Sequence, residues 1–155
     1  MTAALQSGSN RVAITLLDYQ FGDRSRASVG VGEASWLDVK VEANDGAKSW
    51  RRVDACFSDL DLYELVDFLR VSGAGNPPQE RFEGIEPSLH FVARPESNGL
   101  RLDVLFNQEL HPDGRHYYDE ADPKVLTFEL SPSDFRRFAE DLATDLRAFP
   151  DPREF

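Results

Sequence analysis

Between Trp36 and Phe57 apolar and polar side chains take turns, and a period of two permits one buried and one wet face of an antiparallel strand and little else. Leu37, Val39, Val41 and Ala43 alternate with Trp36, Asp38, Lys40 and Glu42. Asn44-Asp45-Gly46 then supplies residues that tolerate positive φ, and Val53, Ala55 and Phe57 alternate with Arg52, Asp54 and Cys56. The stretch reads as a hairpin. Alternation alone does not assign Trp36 or Trp50 to the core or to an exposed contact patch.

Around this hairpin the same grammar occurs twice. Val12, Ile14 and Leu16 form an earlier strand, and Tyr19 to Ser35 reads as a long loop or a missed edge strand near Ala27 to Val31. Ser58-Asp59-Leu60-Asp61 is a capping box ahead of Leu62, Leu65, Val66 and Leu69, a helical period that predicts a helix from about Asp59 to Arg70. Ser72 to Pro78, rich in Gly and Pro, stops it and forms a linker. Short strands follow at Arg81 to Glu83, around Leu89, Phe91 and Ala93, and around Leu100 to Phe106, the last two joined at Asn98-Gly99. Val125 to Leu130 is a further strand, and Ser131-Pro132-Ser133-Asp134 opens a second helix carrying Phe135, Phe138, Ala139, Leu142 and Leu146 to about Ala148.

Residues 11–70 and 81–148 thus share one order, strands and then a capped amphipathic helix. The expected fold is α+β: one antiparallel sheet of five to seven strands with both helices on one face, Leu65, Leu69, Phe138 and Leu142 packed against it. Residues 11–150 form a single domain in this reading, with 1–10 a fraying N-terminal tail and 151–155 a C-terminal tail.

Charge narrows the function. Among 155 residues, 28 Asp and Glu against 17 Lys and Arg leave a net charge of -11, which argues against a nucleic-acid partner. The one cysteine, Cys56, cannot form an internal disulfide, the first residues lack a secretory pattern, and no apolar run reaches a membrane span. A cytoplasmic protein with no membrane partner is expected; its oligomeric state is open.

Few groups are arranged for chemistry. Gly30-Val31-Gly32 lacks the third glycine and the following helix of a dinucleotide fingerprint, and Ser72-Gly73-Ala74-Gly75 lacks the Lys of a phosphate loop. Cys56, next to Phe57 in a strand, reads as a packed thiol, and His90 as a residue of a strand's polar face. Asp61, Glu64 and Asp67, like Glu140, Asp141 and Asp145, fall opposite the apolar stripes of their helices and read as solvated faces. The richest segment is 111–123. It offers His111, His116 and Asp119 or Glu120 as metal ligands at a spacing that matches no motif, or Tyr117, Tyr118, Asp119 and Glu120 as a recognition surface, or a solvated excursion. The expectation is no catalytic group, no metal, no cofactor, and partner contacts at Tyr117, Tyr118, Asp119 and Glu120.

Several segments together carry a resemblance: the Trp36-Leu37-x-Val39-x-Val41 strand, the capped helix start after Phe57, the Glu86-Pro87-Ser88-Leu89-x-Phe91 strand, the Leu126-x-Phe128-x-Leu130 strand and the closing Leu146-Arg147-Ala148-Phe149-Pro150. In their order and spacing over about residues 11 to 150, they resemble the WapI family of bacterial immunity proteins. The resemblance implies a non-enzymatic cytoplasmic protein that neutralises a toxin domain by stoichiometric binding, a basic nuclease being the toxin class that suits the acidic surface. Two readings compete with it: an acidic adaptor or subunit of another protein assembly, and a carboxylate-based hydrolase.

Overall fold

The computed structural model describes residues 2–20, 35–74, 81–114 and 122–154. Its elements run β1 (Ala3–Ser7), β2 (Asn10–Tyr19), β3 (Trp36–Asn44), β4 (Ser49–Ser58), α1 (Asp59–Gly73), β5 (Arg81–Glu83), β6 (Leu89–Glu96), β7 (Gly99–Phe106), β8 (Lys124–Leu130) and α2 (Pro132–Leu146). Short 3-10 turns lie at Gln108–Leu110 and Pro152–Glu154 among the described residues. The class is α+β, and four strands followed by a helix occur twice.

The strands differ from expectation in one respect. They do not form one sheet but two antiparallel sheets of four, β1-β2-β3-β4 and β5-β6-β7-β8. The division falls between β4 and β5, on either side of α1, which runs on through Ser72 and Gly73 of the expected linker, and alternation could not reveal it, because a strand alternates identically whichever sheet it joins. Leu37, Val39, Val41 and Ala43 of β3 and Leu89, Phe91, Leu102, Val104, Leu126 and Phe128 of the second sheet all enter the same buried cluster.

Both helices contribute to that cluster. α1 packs on α2, α1 touches β4, and α2 touches β1 and β2 of one sheet and β7 and β8 of the other. Leu65, Leu69, Phe138 and Leu142 are buried. Helix α1 starts where the sequence places it: Ser58 Oγ accepts from Asp61 N–H (3.1 Å) and the Asp61 carboxylate accepts from Ser58 N–H (3.0 Å). Asp61 is therefore buried rather than part of a solvated face, and its second oxygen accepts from Ile85 N–H at 3.2 Å.

Both expected tails are structured at residues 3–7 and 152–154. Residues 3–7 form β1, with Ala3 and Leu5 in the core, because even this short run alternates and pairs with β2. The β1–β2 corner also closes the free edge of β8, where Asn10 Nδ2 donates to Thr127 O (2.9 Å) and Glu129 N–H donates to Ser7 Oγ (3.1 Å), so that edge is not left to pair with other chains. At the far end Pro152 is buried, and Arg153 reaches Asp67 on α1 (2.7 Å) as well as Asp151. The Asn98-Gly99 turn needs its glycine: at φ +155° a Cβ on Gly99 would lie 2.6 Å from the Leu130 carbonyl oxygen.

The capping box gives a direct test. Ser58→Ala removes the acceptor for Asp61 N–H in a buried setting and should lower stability by about 1–2 kcal/mol in urea unfolding, with an unchanged slope.

Candidate functional site

Two features stand at the junction of the sheets, where β4 meets the turn after β7. The first is the anchorage of the 111–123 segment. Trp50 is a core residue: its ring sits edge-on to Phe106, and its Nε1–H donates to Leu110 O at 3.0 Å. Arg52 Nη2 donates to Pro112 O (3.0 Å) and Lys48 Nζ to Asp113 (3.0 Å). At the segment's other end Lys124 Nζ donates to Asp45 at 2.6 Å. The hydrogen bond from Lys124, with those from the backbone amides of Lys48 and Ala47, holds the Asp45 carboxyl well below the usual carboxylate range. Both stems of the segment are thus fixed to the β3–β4 hairpin of the first sheet.

Tyr117, Tyr118, Asp119 and Glu120, like His116, lie outside the described residues. His111 is described and buried, and its Nδ1 accepts from Asp113 N–H at 3.1 Å. Among the described residues no three His, Cys, Asp or Glu side chains are grouped so as to hold a metal ion.

The second feature is a polar cleft of about 180 Å³ lined by Gln20, Asp54, Ala55, Glu86, Ser88, Gln108 and Glu109. Three carboxyl groups converge here from separate segments: Asp54 on β4, Glu86 before β6 and Glu109 in the 3-10 turn. Gln108, buried at its wall, has φ +51°, a strained backbone for a residue with a side chain. Burial first, then the hydrogen bond with Glu109 and its charge, pushes the Asp54 carboxyl up to about 6. Asp54 therefore holds its proton into the mildly acidic range.

The sequence reading missed this pair. Asp54 sits in an alternating strand and Glu109 lies 55 residues on, so only the docking of the two sheets brings them together. Cys56, two residues from Asp54, is buried as expected, and burial pushes its thiol far above its ordinary value. His90 departs from expectation: it is buried although on the outward register of β6, with Arg81 Nη2 2.6 Å from its Nδ1.

Comparison with known proteins places the chain. The model of the immunity protein WapI-like family matches residues 4–150. The chain belongs to that family. Two solved structures are similar to this WapI-like protein: the plant transcriptional regulator PBF-2, at 5% identity and a TM-score of 0.47 over 94% of this chain and 80% of the other, and WHY3 from Arabidopsis thaliana, at 10% identity and 0.42 over 94% and 86%. At those scores neither likeness carries an argument. No curated protein matches the WapI-like chain. Among its described residues, no helix is long and apolar enough to cross a membrane.

Two outcomes are expected for the WapI-like protein. A carboxyl whose value is raised on folding stabilises the fold at low pH, and that contribution falls as pH rises from about 4, its ordinary range, to about 6, and is then flat. Asp54→Asn should flatten this part of the stability–pH curve and raise stability at pH 7 by roughly 1 kcal/mol, a figure discounted for the half-open site. Cys56 should stay unreactive to an aromatic disulfide reagent in the native protein and react at the rate of unfolding; prompt native reaction would contradict its burial.

Proposed function

We propose that this protein neutralises a bacterial toxin domain by binding it stoichiometrically, without catalysis. The observation that carries this reading is membership of the WapI-like immunity family over residues 4–150. The net charge of -11 suits a basic toxin domain, a nuclease being the class with the most basic surface, because opposite fields speed the encounter. A cytoplasmic protein with no nucleic-acid, metal or cofactor partner completes the reading.

For the contact itself we propose Tyr117, Tyr118, Asp119 and Glu120. Tyrosine rings bury large area at small entropic cost, and the acids beside them suit a basic partner. Support comes from the stems of this segment, tied to the β3–β4 hairpin through Trp50, Arg52, Lys48 and Lys124; a recognition segment gains affinity when its ends are fixed in advance.

Asp54, raised beside Glu109, is the one observation that favours the competing hydrolase reading, since a carboxyl with a raised value next to a second one can serve as acid in some hydrolases. Protection by Asp54→Asn separates the two: a binder keeps protecting, whereas a hydrolase loses protection while still binding.

The test of the function is co-expression with a candidate toxin domain from the neighbouring gene, followed by affinity measurement at two salt concentrations; the absence of any such toxin gene contradicts the reading. Wild-type protein should protect the cells, and association should slow as salt rises. Asp119→Lys with Glu120→Lys should slow association further, whereas Tyr117→Ala or Tyr118→Ala should chiefly speed dissociation. Absence of both protection and binding contradicts the reading.

A further inference from the structure

The solvent face of the first sheet carries no covering layer among the described residues, and its two ends differ. β3 alternates strictly, so Trp36, Asp38, Lys40, Glu42 and Asn44 all point away from the core. Toward the β3–β4 hairpin this face is basic and polar: Arg11 lies beside Asn44, Arg51 beside Glu42, and Lys40 turns to Glu42 at 3.9 Å. At the Trp36 end it is apolar and acidic. Trp36 is only half-buried, Leu17 at the β2 bulge is 46% exposed, and Val53, opposite Lys40, is 57% exposed. Asp18 and Asp38 pair across β2 and β3 beside them.

Exposed Leu and Val beside a half-buried Trp on one sheet face are costly to leave in water, and an apolar centre with a charged rim is the anatomy of a protein interface. Tryptophan is also the residue type that most often dominates interface energetics. The rim selects the occupant, because the paired carboxylates of Asp18 and Asp38 beside an apolar centre suit a surface that presents Lys or Arg around an apolar side chain.

We propose that the Trp36 end of this sheet face is a docking surface for a basic toxin domain, with Trp36, Leu17 and Val53 as the apolar centre and Asp18 and Asp38 as the rim. The proposal rests on the toxin-binding reading and adds a surface at the end of β3 opposite the hairpin that holds the 111–123 segment. Trp36 is also its own reporter, since Trp50 is buried and donates to Leu110.

The experiment uses full-length protein and, as probe, a candidate toxin domain from the neighbouring gene, measuring affinity by calorimetry and the acrylamide-quenchable fraction of tryptophan fluorescence. Complex formation should lower the fraction contributed by Trp36. Leu17→Ser with Val53→Ser, both at exposed positions, should weaken affinity about tenfold or more, and Trp36→Ala likewise, whereas Glu64→Gln on the exposed side of α1 should leave it unchanged. Wild-type binding that is indifferent to these substitutions, with Trp36 quenching unaltered, overturns this surface and leaves toxin binding standing. Failure of the wild-type protein to bind overturns both. Quenching by acrylamide that rises on dilution of the free protein would put a second copy of this chain on the surface and overturn the proposal as well.

Discussion

Each sheet has an apolar face, and neither has a helical layer of its own. α1 and α2 pack against one another, and α2 reaches strands of both sheets, so one pair of helices completes both cores. A four-stranded sheet with one bare apolar face is a poor folding unit by itself. The two β-β-β-β-α halves are therefore bound to fold against each other, and Phe135, Phe138 and Leu142, all fully buried, belong to both. The contacts that join the sheets directly, from Trp50 to Leu110 and Lys124 to Asp45, are additions to this shared core rather than substitutes for it.

That arrangement explains what could be read from the chain. β3, β4, β6, β7 and β8 were legible because each alternates, and both helix starts were legible because Ser58 and Ser131 cap them with their own side chains. The division into two sheets was not, since strand pairing depends on partners far along the chain. β1 was missed because Ala3 and Leu5 carry too little apolar signal in a five-residue strand. Asp61 was read as solvated from its position on the helical wheel; its place in the cap, where it accepts from Ser58 and Ile85, overrides the wheel.

The candidate site was legible only in part. The 111–123 segment stood out by composition, yet nothing in the sequence indicated that its stems are tied to a hairpin some 60 residues earlier through Trp50 and Arg52. The Asp54–Glu109 pair is a product of the same long-range docking. Trp36 and Trp50 looked equivalent in sequence and are opposites in the fold. Trp50 falls on the core side of β4 and hydrogen-bonds across the sheets, whereas Trp36 falls on the outward register of β3. A rigid scaffold with an acidic, partly apolar surface is well suited to binding without rearrangement.

Hydrogen–deuterium exchange of the free protein and of its complex with a candidate toxin domain from the neighbouring gene tests this account most directly. Backbone amides at 17–18, 36–38 and 53–54, together with those of 115–121, should slow on complex formation, while the exposed sides of α1 and α2 exchange as before. Protection confined to the helices, or spread evenly over the whole chain, would contradict an interface on the open sheet face and the anchored segment.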